Sequence, residues 1–257
     1  MAATATEKLD LTPRRDWKTA FRAMRKLLAD PNDTVQVFLI MKALNAGVVA
    51  RNYNRLLTTA EGGRMAYERV ELITKLMAPA FLAGFGPGTV GAAYRAFLER
   101  TGFSAAGLKD VGEEAHGRGS SDVAHPYAWF GRRERDIHDI WHVLTGYQAN
   151  DPLGELCLVA FTYAQTRGTG WGFIALVGAL KSLGEPHGRL VRKAAWEGYT
   201  HGKRAAWLHG EDVVKLFAEP LDVARARLKI EEPVWYRACK AAAGENASPA
   251  AVAVAAE

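Results

Sequence analysis

Two histidines and two carboxylates, His138, Asp139, His142 and Glu155, fall inside one short stretch, RERDIHDIWHVLTGYQANDPLGELCLVAF. Imidazole nitrogens and carboxylate oxygens form a donor set for a divalent cation, zinc, iron or manganese, without selecting among the three, and are poorly suited to a thiolate-seeking metal. Residues four apart on a helix share a face, so a helix over 138–145 puts His138, His142 and Asp139 near about 0°, 40° and 100° on the helical wheel. The four sit among Ile137, Ile140, Trp141, Leu144, Leu153, Leu156 and Leu158. An unpartnered charge in such surroundings costs on the order of several kcal/mol. The plainer alternative makes Asp139 and Glu155 helix-surface carboxylates and the histidines satisfied interior groups, but the set taken together favours a metal.

The flanking residues say how the four are brought together. Gly146 suits a helix end, Asp151 an N-cap and Pro152 a first helical position, which makes a helical hairpin. His142 lies four residues before Gly146 and Glu155 four after Asp151, so an antiparallel return sets them at one height. Arg132, Arg133 and Arg135 precede the motif and could grip a substrate carboxylate by bidentate hydrogen bonds, or be solvated charge at a helix entrance. Tyr199 and His201 are weaker candidates for proton transfer.

Away from this hairpin the chain reads as all-α, one helical domain over 1–240 with a low-complexity, disordered tail over 241–257. Residues 14–29 alternate Arg and Lys with Trp17, Phe21, Met24, Leu27 and Leu28 at helical spacing. This is a basic amphipathic helix, either covering the core or lying on a membrane surface. Further helices are expected over 34–44 behind an Asp33 cap, over 48–57 and 64–77, and after a Thr89 cap. Residues 104–126 read as a long loop, and helices follow over 171–183, 187–206, 211–216 and 220–228. Phe161, Trp171, Phe173, Ile174, Leu176 and Val177 could line a tunnel or simply fill a core.

Composition narrows the classes. The 257 residues are 49% hydrophobic and 24% charged, with a net charge of +5, enough for a large core. The positive residues are dispersed and no nucleic-acid motif accompanies them, so nucleic acid is not an expected partner, whereas an anionic lipid surface is compatible. Cys157 and Cys239 are too few and too separated for a disulfide framework. The N-terminus lacks a secretory core and is a poor match to a transit peptide, and no apolar run reaches the roughly 18 to 20 residues of a membrane span. A cytoplasmic protein attached peripherally to the inner membrane of a bacterial-type cell is the expectation.

The stretch HDIWHVLTGYQANDPLGELCLVAFTYAQ resembles the signature of the coenzyme Q biosynthesis protein 4 family. TAEGGRMAYERVELITKLMAPAFLAGFGPGTVGAAYRAFLERTGFS before it and WEGYTHGKRAAWLHGEDVVKLFAEPLDVARARLKI after it resemble the same family, so the likeness spans most of residues 31 to 230. The spacing between His142 and Glu155, twelve residues, is one longer than is usual there, and the extra residue is assigned to the loop over Tyr147 to Asn150, which absorbs an insertion at little cost.

That resemblance implies a role in making ubiquinone, with the quartet as a divalent-metal site. It also implies a polyprenylated 4-hydroxybenzoate as substrate, decarboxylated at C1, with an oxidative variant coupled to C1 hydroxylation. Other quinone-biosynthesis enzymes, a membrane surface and a second copy of the chain in a homodimer are the partners it suggests. Two rivals stand beside it. One is a non-catalytic lipid-binding scaffold for those enzymes. The other is a zinc hydrolase, because HDIWH is similar to the HExxH pattern with Asp139 in the glutamate position.

Overall fold

The computed structural model describes residues 15–31, 33–104, 107, 110 and 124–244, and among them every extended regular element is a helix. The early helices are α1 (Trp17–Ala29), α2 (Thr34–Leu44), α3 (Val48–Leu56), α4 (Ala60–Glu68), α5 (Leu72–Leu76), α6 (Pro79–Ala83) and α7 (Val90–Thr101). They are followed by α8 (Pro126–Asp136), α9 (His138–Thr145), α10 (Pro152–Thr166), α11 (Thr169–Lys181), α12 (Gly188–Arg204), α13 (Val213–Ala218), α14 (Leu221–Leu228) and α15 (Val234–Ala242). The all-α expectation holds.

Several boundaries differ from the sequence reading, each for a local reason. The helix expected over 64–77 is two, because Arg69 closes α4 in the left-handed region (φ 46°) and the Val70 carbonyl accepts from Trp129 Nε1 at 3.2 Å. The three arginines lie inside α8, not ahead of a helix; His125 caps it, its Nδ1 accepting from the Tyr127 N–H at 3.2 Å, and Pro126 takes the first position. No helix was expected over 234–242, yet α15 runs through Ala242, into the expected tail. From 245 onward that tail lies outside the described residues, as do residues 1–14 and most of the loop expected over 104–126.

Three apolar clusters organise the packing. The largest joins α5, α7, α9, α10, α13 and α14 through Tyr94, Phe97, Ile140, Trp141, Phe161 and Phe217. A second joins α1, α2 and α11, and a third packs α3, α4 and α8 around Trp129 and Phe130. The expected tunnel residues divide between them: Phe161 belongs to the first, Ile174 with Trp171, Phe173 and Val177 to the second, while Leu176 is exposed. One continuous lining is therefore not formed by that set.

The most extensive helix pairing, α10 with α12, is made possible by two glycines. A Cβ at Gly198 would lie 2.4 Å from the Cys157 carbonyl oxygen, and one at Gly202 would lie 2.5 Å from that of Phe161. Gln165 then bridges the pair, donating to the Gly202 and Ala206 carbonyls (2.7 and 3.1 Å) and accepting from the Leu208 N–H (2.9 Å). Glu197 of α12 is buried and satisfies the N-terminus of α15, accepting from the N–H groups of Val234 (3.1 Å) and Trp235 (3.0 Å). Burial raises its pKa above the ordinary 4.5, against the lowering effect of those hydrogen bonds.

Two outcomes follow for stability. Gly198→Ala should lower unfolding free energy by about 1–3 kcal/mol in urea titration, the usual range for overpacking. Because the folded pKa of Glu197 is raised, the native state holds its proton more tightly than the unfolded chain, so stability declines as pH rises from 4.5 through the folded pKa. Thermal melts across that window should show a shallower decline in Glu197→Gln.

Candidate metal centre

Six of the eight residues of α9 are buried, Asp139, Ile140, Trp141, His142, Leu144 and Thr145, so this helix carries its polar side chains inside the protein. Its ends are fixed from outside. Gly146 closes it with φ 78°, a conformation that suits glycine, and Arg225 of α14 donates to the exposed terminal carbonyls of Val143 (3.1 Å) and Leu144 (2.8 Å). Asp151 caps α10, accepting from the N–H groups of Leu153 and Gly154 at 3.2 Å, and is itself held by the Tyr236 hydroxyl (2.8 Å) and Lys240 (3.4 Å). Gly154 turns its bare face to the Gln148 carbonyl, where a Cβ would fall at 2.1 Å. The loop over Tyr147 to Asn150 thus packs directly against the first turn of α10.

The hairpin delivers the expected approach. His142 Nε2 stands 3.2 Å from Glu155 Oε1, and His138 Nε2 stands 4.0 Å from Glu155 Oε2. His138, His142 and Glu155 each offer a donor atom within 4.8 Å of the others, a grouping with the dimensions of a metal site. Asp139 is tied to the set through His138, whose Nδ1 lies 3.2 Å from its Oδ1.

Tautomers make this arrangement informative. His142 Nδ1 lies 2.9 Å from the Tyr147 carbonyl, an oxygen that can only accept, so Nδ1 carries the hydrogen. In the neutral ring Nε2 is then a bare lone pair, fully buried, without a hydrogen-bond partner and facing a carboxylate. His138 repeats the pattern, with Nδ1 toward Asp139 and Nε2 toward the same carboxylate. One proton on His142 would serve only the 3.2 Å pair with Glu155, whereas one divalent ion would serve both nitrogens and the carboxylate together. The donor set therefore fits a divalent metal, with a carboxylate orienting one histidine and a backbone carbonyl the other.

Access is one-sided. The His142 side chain is 0% exposed and Phe97 of α7 stacks on it at 6.1 Å, while the Glu155 side chain is 40% exposed. Burial lowers the pKa of His138, but the Asp139 hydrogen bond and the charges of Glu155 and Asp139 outweigh it and leave the net shift upward. Tyr94 is buried in the same region, and burial together with the charges of Asp139 and Asp136 raises its pKa well above the ordinary value.

The arginines have protein partners. Arg132 forks onto Glu71 (2.6 and 3.0 Å) and Arg135 onto its neighbour Asp136 (2.7 and 2.9 Å). Arg133 is buried, donates to the Glu211 carbonyl and has its pKa brought down by burial to about 10. His201 faces Glu231 at 3.4 Å and burial lowers its pKa; Tyr199 stacks with Tyr163. Phe97, the Tyr147 carbonyl and Arg225 were not among the expected site residues. No motif marks them, since each acts by tertiary placement.

Comparisons with known proteins bear on family and fold. The profile of the family described as "Coenzyme Q (ubiquinone) biosynthesis protein Coq4" matches residues 6–234. The chain is 28% identical over 204 residues to the ubiquinone biosynthesis protein coq4, mitochondrial, of Pyrenophora tritici-repentis, which covers 75% of this chain and 63% of that protein. The chain thus spans less than two thirds of that relative's length. A crystal structure from Nostoc punctiforme PCC 73102, provisionally described as a ubiquinone biosynthesis protein, shares the fold with a TM-score of 0.62 at 22% identity, covering 85% of this chain and 100% of the other.

His142→Ala should abolish divalent-metal binding measured by equilibrium dialysis while circular dichroism shows helical content largely unchanged. Full metal occupancy in that variant would overturn the ligand set.

Proposed function

Because the chain belongs to the Coq4 family of coenzyme Q (ubiquinone) biosynthesis proteins, we propose that it removes the C1 carboxyl group of a polyprenylated 4-hydroxybenzoate in a metal-dependent reaction. The observation that carries this reading is the buried, unpartnered Nε2 of His142 set against the Glu155 carboxylate. His138, His142 and Glu155 would hold the ion, zinc first and iron or manganese as alternatives, with Asp139 completing the quartet through His138. Bound there, the ion supplies a Lewis-acid centre that orients a carboxylate and stabilises developing charge, or in the case of iron or manganese the oxidative variant coupled to C1 hydroxylation.

The chain's own residues set the conditions for this chemistry. Phe97 and the buried ring of His142 close one side of the centre to water, and the half-exposed Glu155 leaves the other open to an aromatic acid. Loss of carbon dioxide leaves an electron pair on C1, which a proton must take up, and the hydroxyl para to that carbon donates density toward it. Tyr94 is kept protonated by burial and by Asp139 and Asp136, so it stays a neutral hydrogen-bond donor beside the quartet. Among the arginines, Arg132 is the one we assign to the substrate carboxylate, because its partner Glu71 is partly exposed and can be exchanged for a second carboxylate. Arg133 ties α8 to the Glu211 carbonyl, and Arg135 is taken up by Asp136 within α8 itself.

Purified protein loaded with zinc, iron or manganese should release carbon dioxide from a prenylated 4-hydroxybenzoate. Tight lipid binding with no carbon dioxide would instead favour a scaffold that gathers quinone-pathway enzymes. Cleavage of an ordinary ester or peptide would favour the hydrolase. Arg132→Ala should raise KM several-fold with a smaller effect on kcat; an unchanged KM would remove Arg132 from the site.

A further inference from the structure

A cavity of about 200 Å³ opens between α4, α5, α8 and α13, and none of His138, Asp139, His142 and Glu155 lines it. On its exposed side stand Arg64 and Glu68, with side chains 38% and 41% exposed, and on its buried side Arg133 and Trp129, 7% and 3% exposed. Met65, Leu72 and Val213, all buried, add apolar wall. The Trp129 N–H is spent on the Val70 carbonyl at 3.2 Å, so what the indole offers the cavity is apolar surface.

Arg133 is the group in this cavity that lacks its counterpart. It is buried, its Nη2 donates to the Glu211 carbonyl, and its Nε has no hydrogen-bond partner. Among the described residues no carboxylate stands within ion-pair distance of it, because Asp136 is taken by Arg135 at 2.7 Å and Asp212 by Arg64 at 2.5 Å. A buried cation is ordinarily paired, since the interior solvates charge poorly. Lys75 on the same wall also has no carboxylate against it among the described residues; its ammonium lies 5.5 Å from the Phe81 ring. Counting the cavity and the ion pairs that border it, the cations Arg64, Lys75, Arg133 and Lys215 face the carboxylates Glu61, Glu68 and Asp212. One positive charge is left over.

We propose that this cavity is a second binding site, for a small organic monocarboxylate, its carboxylate set on Arg133 and Lys75 and its apolar body against Trp129, Leu72 and Val213. A planar carboxylate matches the guanidinium fork and brings the single negative charge that the surroundings lack, whereas a phosphate dianion would place an excess beside Glu68 and Asp212. The cavity is smaller than the roughly 300 to 1,000 Å³ of sites for drug-sized ligands. It therefore takes a compact anion and no polyprenyl chain, which separates its ligand from the substrate assigned to the metal centre.

The test is isothermal titration calorimetry of the full, metal-free chain with benzoate, benzamide and inorganic phosphate, so that its outcome is independent of the decarboxylase reading. Benzoate should bind with a dissociation constant of about 1 mM or lower. Benzamide, which has the same shape without the charge, should bind at least about tenfold more weakly. Arg133→Lys keeps the charge, loses the fork and should weaken benzoate by about tenfold, with circular dichroism matching the parent chain. Lys75→Gln changes a half-buried side chain and should weaken benzoate severalfold, which keeps the test decisive if Arg133→Lys fails to fold. His142→Ala should bind benzoate as the parent does. Loss of binding in His142→Ala would place the carboxylate at the metal hairpin and overturn the proposal. Absence of benzoate binding by the parent, benzamide or phosphate binding as tightly as benzoate, or unchanged benzoate affinity in Lys75→Gln overturns it too.

Discussion

A buried imidazole nitrogen whose lone pair faces a carboxylate at 3.2 Å is electrostatically incomplete. A positive charge between them would complete it, and His142, whose side chain is fully buried, has no route to bulk water, while Glu155 is partly exposed. His142 is fixed from behind by the Tyr147 carbonyl and from the side by Phe97, while Glu155 is carried on the first turn of a long helix whose start is capped by Asp151. Much of the fold acts to maintain that confrontation. The Gly154 approach to Gln148 sets the loop, Arg225 holds the end of α9, and the α10–α12 seam fixes the helix that carries Glu155.

The same logic separates the polar groups that bind from those that support. Glu197 and Asp151 are buried carboxylates of the kind that attract functional readings, yet each is occupied by backbone N–H groups at a helix N-terminus, where a carboxylate complements the orphan donors and the helix dipole. The carboxylate of Glu155 faces imidazole nitrogens instead. Burial alone does not distinguish these cases; the identity of the opposing atom does.

Local chemistry made the hairpin legible. Gly146, Asp151 and Pro152 terminate and start helices by mechanisms that act within a few residues, and four-residue spacing places His138 and His142 on one face whatever surrounds them. Elements governed by distant partners were not legible in the same way. The break at Arg69 coincides with a hydrogen bond to Trp129, and α15 begins on a carboxylate from α12. Arg132, Arg133 and Arg135, read from sequence as open forks, are engaged by Glu71, the Glu211 carbonyl and Asp136, partners of which only the last is near in sequence.

The sequence by itself determined that the chain is helical, that two histidines and a glutamate fall on facing turns of a hairpin, and which family it resembles, because periodicity, capping and motif spacing are short-range properties. Tertiary structure decided which nitrogen of His142 is free, that Asp139 reaches the set through His138, and that Arg133 lies buried with no carboxylate against it among the described residues. Those outcomes depend on what packs against each residue from far along the chain, and the energy of a lone pair or a guanidinium is set by that neighbour and not by the residue type.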